Sequence, residues 1–199
     1  MALSDKRVLA VDCLSKIGDE VLLKGWVTVV RAHGKIAFLD LRDRSGVIQI
    51  GGFNPGVVRV MSQLKQQDVI AVRGTVKKRE ERYINPQLPT GTIEIEASEI
   101  HIVAEAAVLP FDMGGKALDL QLPTLLDHRS LSLRHPTVAA IFRVQAAVLE
   151  GFRRAAHALD CTEIVVPTIA ASSTEGGAEV FGVDYSGQYV LRILLLLRT

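Results

Sequence analysis

Between positions 20 and 103, apolar residues return at every second place in five separate stretches. Such a period builds strands buried on one face and exposed on the other. The stretches are 20–31, 35–42, 46–51, 68–78 and 92–103. Turn formers separate them: His33-Gly34, Arg44-Ser45-Gly46 and Pro89-Thr90-Gly91. The period changes once. Over 57–65, Val57, Val60, Met61 and Leu64 stand at i, i+3, i+4 and i+7, which is helical spacing.

Three strands, a helix and two more strands within about 85 residues is the order of an OB-fold barrel. The rest of the chain reads differently, and the expected class is α+β. Residues 1–18 form a leader with one helical turn, and 19–104 form the barrel. Residues 105–135 are a hinge holding Pro110, Gly114-Gly115 and Pro123, with no sustained period. The segment 136–199 opens a second domain. Pro136 suits a first helical position, and Val138, Ile141, Phe142, Val148, Leu149, Phe152, Ala156 and Leu159 mark one apolar stripe beyond it. Residues 162–166 read as a strand ended by Pro167, and 168–187 as loop.

A composition 48% hydrophobic and 23% charged supplies a packed core. The net charge of +1 means that any basic surface for nucleic acid is local. Cys13 and Cys161 stand far apart without a CxxC, so we expect buried free thiols in a reducing compartment and neither a disulfide nor a metal site. The longest apolar run, 193–197, is far short of the roughly 20 residues that span a bilayer, and no secretion signal opens the chain. A cytoplasmic protein is the expectation.

Strand alternation sorts the barrel's faces. Leu23, Val27, Val29, Ala37, Leu39, Leu41, Ile48, Ile50, Ile93 and Ile95 point inward. The opposite face carries Trp26, Thr28, Phe38, Gln49 and Glu94, an aromatic-plus-amide set suited to stacking a splayed base and bonding its edge. Trp26 reads better as barrel packing, and Phe38 with Gln49 is the favoured pair. Arg31, Arg42, Arg73, Lys77, Lys78 and Arg79 are the cations that could meet phosphates, although 77–79 reads equally well as a solvated hairpin.

Several segments also resemble a known family. Lys24-Gly25-Trp26-Val27, Phe38-Leu39-Asp40-Leu41-Arg42-Asp43 and Gly46-Val47-Ile48-Gln49-Ile50 resemble the anticodon-binding domain of aspartyl- and asparaginyl-tRNA synthetases. Leu131-Ser132-Leu133-Arg134-His135-Pro136 resembles the approach to their catalytic domain. The following helix with Thr162-Glu163-Ile164-Val165-Val166-Pro167 resembles class II motif 1, and Thr174-Glu175-Gly176-Gly177-Ala178-Glu179 the mobile loop over the amino-acid pocket. The Gly-Gly pair suits the aspartyl branch in its archaeal-like form.

This resemblance implies an aspartate–tRNA ligase that activates aspartate with ATP and Mg2+ and transfers it to tRNA. Phe38 would stack the central anticodon base, with Gln49 and Glu94 reading nearby bases. Thr28 would sit where the family tunes discrimination at the third anticodon base, which leaves open whether tRNA for asparagine is accepted as well as tRNA for aspartate. Glu175 would hold the aspartate ammonium, while Ser173, Thr174, Gly176 and Gly177 let the loop move. The helix and Pro167 would form a homodimer interface. Ser132 stands where an Asp is usual, and Leu125 where an Arg is usual. After Tyr189 the chain departs from the family and reads as a truncation or a shifted frame. Motifs 2 and 3, which hold ATP and Mg2+, are not among these residues, so the 199 residues alone are expected to be inactive in aminoacylation. The alternatives are a stand-alone OB-fold RNA-binding module and an asparagine–tRNA ligase fragment.

Overall fold

Five strands close on one another in the computed structural model, which describes residues 6–115 and 117–165 and the backbone alone of 169–170, 180–185 and 189–194. They are β1 (Glu20–His33), β2 (Ile36–Arg42), β3 (Val47–Gly52), β4 (Val69–Lys78) and β5 (Ile93–Ala104), in the barrel order β1-β2-β3-β5-β4, with β4 returning to β1. All neighbours are antiparallel except β3 and β5, a parallel contact of two residue pairs. Closure leaves the barrel without a free sheet edge.

The inward positions do what the alternation requires. Leu23, Val27, Leu39, Leu41, Ile48, Ile50, Ile70, Val72, Val76, Ile93 and Ile95 are at most 1% exposed. Each such side chain contributes about 1.5–3 kcal/mol through burial, so this one cluster dominates the stability of the barrel. Helix α1 (Pro55–Met61) plugs one end with Val57 and Met61. It begins two residues before the expected start, because Asn54 caps it by accepting from the Gly56 amide at 2.8 Å and Pro55 occupies the first turn. It ends at Met61, and Leu64 reaches the core from the following turn. A side chain at Gly52 would run into the Met61 sulfur, so glycine there is what lets α1 seat on β3.

One inward residue departs from simple alternation. The β1–β2 register slips between Val27 and Val29: Val27 faces Leu41, and Val29 faces Asp40. Thr28 is the extra residue, and the bulge turns Val29 outward to 38% exposure while Val30 packs against the core.

The leader holds a short 3-10 helix, Val11–Ser15, with Cys13 fully buried. Asp43 fastens it. Burial alone would raise this carboxyl, but hydrogen bonds from the Ser45 hydroxyl (2.7 Å) and the amides of Ala10, Ser45 and Gly46 outweigh it and hold the group below the ordinary carboxylate range. Burial, helped by Asp12 and Asp43, pushes the Cys13 thiol up to about 11. Cys161 is exposed, against the expectation of two buried thiols, as are its described neighbours from Leu159 to Val165.

The expected hinge contains two short helices, α2 (Leu122–Asp127) and α3 (Arg129–Ser132), each too short for a period to show. Ser132 is 1% exposed, and its hydroxyl donates to the Leu125 carbonyl at 3.0 Å. A serine at this unusual position therefore closes the α2–α3 turn. His135 is also buried, its Nε2 2.9 Å from the Gly115 carbonyl oxygen.

The compact units are Met1–Ile141 and Phe142–Thr199. Helix α4 (Pro136–Ala158) carries the predicted stripe, yet none of its residues is buried. Residues 162–165 carry no regular secondary structure where a strand was expected, and Val165 is 97% exposed. Within the expected loop 168–187 lie two strands, β6 (Ile169–Ala170) and β7 (Val180–Tyr185), and both pair antiparallel with β8 (Tyr189–Leu194) beyond it, in the order β6-β8-β7. No helix among the described residues is long and apolar enough to cross a membrane.

Candidate nucleic-acid interface

Row matching across the barrel builds one outward patch. Phe38 faces Gly51 on β3, and Asp40 faces Gln49. On the other side of β3, Gly51 lies beside Glu96, and Glu94 is one outward step back along β5. A cavity of about 660 Å³ opens over this patch. The structure brings Phe38, Gln49 and Glu94 together in its lining. Thr28 is not in that lining. As the bulge residue it donates its hydroxyl to the Asp40 carbonyl at 2.9 Å.

The floor is polar and internally bonded. The Gln49 amide donates to Glu94 Oε2 at 3.2 Å, and Arg79 Nε lies 3.6 Å from the same oxygen. The Arg79 side chain is only 6% exposed, and its Nη1 donates to the carbonyls of Tyr83 (3.2 Å) and Gly91 (3.3 Å). Arg79 thus staples the β4–β5 loop over the cavity while neutralising Glu94. The buried Thr90 hydroxyl donates to the Val47 carbonyl and pins the same loop to β3. Arg31 pairs with Asp40 at 3.2 Å. Burial raises the Asp40 carboxyl, and Arg31 and then Arg79 pull it partly back.

The rim is aromatic. Phe38 and Phe53 meet edge to face, with centroids 5.9 Å apart and planes at 84°. Tyr83, 59% exposed, also lines the cavity, with the Arg82 guanidinium 4.7 Å from its ring centre. Asn85, Glu80 and Lys78 complete the loop side. Aromatic faces above amide, carboxylate and guanidinium groups can stack a flat base and bond its edge at once.

Trp26 belongs elsewhere. Two guanidiniums, of Arg42 and Arg134, each lie 5.2 Å from its ring centre, and Arg134 also donates to the Gln67 side chain at 3.2 Å. The ring joins the barrel to the segment that follows it, in keeping with the packing role expected of it. Of the six candidate phosphate-binding cations, Arg31, Lys78 and Arg79 reach the cavity. Arg42 is taken up on Trp26, Arg73 lies 3.9 Å from Glu99, and Lys77 lies 3.6 Å from Glu96.

Sequence reasoning missed Phe53, Tyr83, Asn85 and Glu80. All four lie outside the strands, where alternation assigns no face. An isolated aromatic directly after Gly51-Gly52 was the one available signal. Pro167, Ser173, Thr174, Glu175, Gly176 and Gly177, to which the resemblance gives the dimer and amino-acid-pocket roles, lie outside the described residues. Among the described residues no three His, Cys, Asp or Glu side chains converge as a metal site would require.

Residues 21–103 match the family described as OB-fold nucleic acid binding domain, and residues 121–195 match the tRNA synthetases class II (D, K and N). An aspartate–tRNA(Asp/Asn) ligase of Haloquadratum walsbyi is 39% identical over 176 residues, covering 86% of this chain and 39% of that protein. The enzyme of the same name from Haloferax volcanii is 41% identical with the same coverages, and that of Anoxybacillus flavithermus is 37% identical, with 82% and 28% covered. The chain therefore spans about two-fifths or less of the length of these relatives. The asparaginyl-tRNA synthetase of Pyrococcus horikoshii complexed with asparaginyl-adenylate shares the fold, with a TM-score of 0.76 at 23% identity, over 94% of this chain and 42% of that one. The aspartyl-tRNA synthetase of Entamoeba histolytica does so with a TM-score of 0.70 at 22% identity, over 82% and 39%. Residues 21–103 therefore belong to the OB-fold nucleic acid binding domains and residues 121–195 to the class II tRNA synthetases (D, K and N), and the relatives that match across both segments are named aspartate–tRNA(Asp/Asn) ligases.

Proposed function

We propose that the barrel reads the anticodon loop of tRNA for an aspartate–tRNA ligase. The observation that carries this is the cavity lined at once by Phe38 and by the bonded pair Gln49–Glu94. Phe38 stacks the central anticodon base. Gln49 and Glu94 present an amide and a carboxylate to base edges, and Arg79 holds Glu94 in place. Arg31 and Lys78 supply positive charge at the cavity wall for the backbone.

The whole protein activates aspartate with ATP and Mg2+ in the cytoplasm and works as a homodimer through the α4 stripe and Pro167. Glu175 binds the substrate ammonium, and Ser173, Thr174, Gly176 and Gly177 form the loop over it. Its tRNA is that for aspartate, and acceptance of the one for asparagine as well turns on discrimination at the third anticodon base. Thr28 tunes reading of the third anticodon base through its bond to the β2 backbone at Asp40, because it does not itself line the cavity. The class II match over 121–195 favours this reading over a stand-alone RNA-binding module.

The test is binding of an anticodon stem-loop RNA by anisotropy. Phe38→Ala is expected to weaken binding by about 1–3 kcal/mol, the worth of one stacked base. Unchanged affinity with an intact barrel would remove Phe38 from the site.

A further inference from the structure

Phe53 lies in the short turn between β3 and α1, is 43% exposed and borders two cavities. One is the base-reading cavity. The other, of about 310 Å³, lies on its far side and is lined by Asn54, Thr75, Lys77, Glu96 and Ser98. We infer that Phe53 is a second stacking platform, taking the nucleotide next to the one on Phe38, and that the far groove receives that nucleotide's sugar and phosphate.

This inference rests on the reading of the barrel as an anticodon-loop binder. Its first support is a notch made for the ring. Gly51 sits in the outward row between Phe38 and Glu96, and a Cβ there would come within 2.9 Å of the Phe53 ring and 3.5 Å of the Phe38 ring. Glycine thus leaves room for both rings on one short strand. The second support is ring orientation. With planes at 84°, the two rings cannot carry a continuous stack, so bases lying on them are splayed from one another. Single-stranded loops are read in that arrangement. The third is the chemistry of the far groove, where the Thr75 hydroxyl and the half-exposed Lys77 offer donors to a sugar and a phosphate, and the Ser98 hydroxyl oxygen, itself donating to the Arg73 carbonyl at 3.2 Å, can accept from a sugar hydroxyl. Lys77 lies 3.6 Å from Glu96 across solvent, an exposed pair that a phosphate can displace.

A plainer role for Phe53 would be to prop Phe38 upright, and the experiment separates the two. The full 199-residue chain and its Phe53→Ala and Phe53→Leu variants are titrated with an anticodon stem-loop RNA. Two further RNAs carry an abasic residue at the 5′ or the 3′ neighbour of the central anticodon base. Both variants are expected to weaken binding to intact RNA about 5- to 150-fold, the range for one stacked base. On one of the two abasic RNAs the loss should shrink to less than about 2-fold, since the platform then has nothing to hold. An equal loss on all three RNAs would mean that Phe53 only props Phe38 and would overturn the proposal, as would no loss at all. Unfolding curves that match the parent chain keep a binding loss from being a folding loss. The parallel cycle of Phe38→Ala against an abasic central base guards the underlying reading. If that cycle couples and the Phe53 cycle does not, only the second platform falls. If neither couples, the anticodon reading falls with it.

Discussion

The barrel and helix α4 are written with equally regular apolar periods, and they end in opposite states. Inward barrel residues such as Leu39, Leu41, Ile48 and Ile50 are at most 1% exposed, whereas Ile141, Val144, Val148 and Phe152 on α4 are 64–74% exposed. A barrel supplies its own cover, because the strand that closes it is coded within the same 85 residues or so. A helix supplies one face and needs another body to lie on. Period therefore predicts both elements equally well but predicts burial only where the architecture is self-closing.

The largest effect that could break this contrast is on stability. Ile48→Ala is expected to cost the barrel roughly 2–5 kcal/mol in urea unfolding, while Phe152→Ser should stay within about 0.5 kcal/mol. A comparable cost at Phe152 would mean that α4 is covered after all. The same exposed stripe should drive self-association. Light scattering is expected to show mass rising with concentration, and Val148→Glu with Phe152→Glu should return the chain toward monomer.

A smaller effect separates two carboxylates of the barrel. Asp43 sits below the ordinary Asp value near 4, so its contribution to stability is present above that value and is lost as pH falls through the lowered one. Asp43→Asn should lower stability at pH 7 and flatten the acid limb. Asp40 is raised by burial, so its contribution is present below about 4 and is lost as pH rises through the raised value. Asp40→Asn should leave the acid limb steeper. Urea midpoints between pH 2 and 7 check both signs. The mildest probe is thiol chemistry. One thiol, Cys161, should react promptly with a disulfide reagent, and Cys13 only on unfolding.

The sequence carried the barrel because its strands alternate and its one helix does not. Three features escaped it, each for a physical reason. Val29 faces outward because a bulge at Thr28 flips the parity, and a bulge is set by the register with β2 rather than by β1 itself. Arg79 reads as the end of a solvated Lys-Lys-Arg run, yet it is buried, because its partners Glu94, Tyr83 and Gly91 come from the loop and strand that follow. Phe53 lies one residue past the end of β3, where alternation stops assigning faces. Phe38, Gln49 and Glu94 were legible together because all three stand within regular strands on the same face.

Titration of the 199-residue chain with two anticodon stem-loops, one carrying the aspartate anticodon and one with its central base changed, tests the central claim most directly. The account predicts that the changed RNA binds more weakly, and that Phe38→Ala reduces the affinity for the aspartate stem-loop by about 1–3 kcal/mol. Equal affinity for the two RNAs, unmoved by Phe38→Ala, would contradict it.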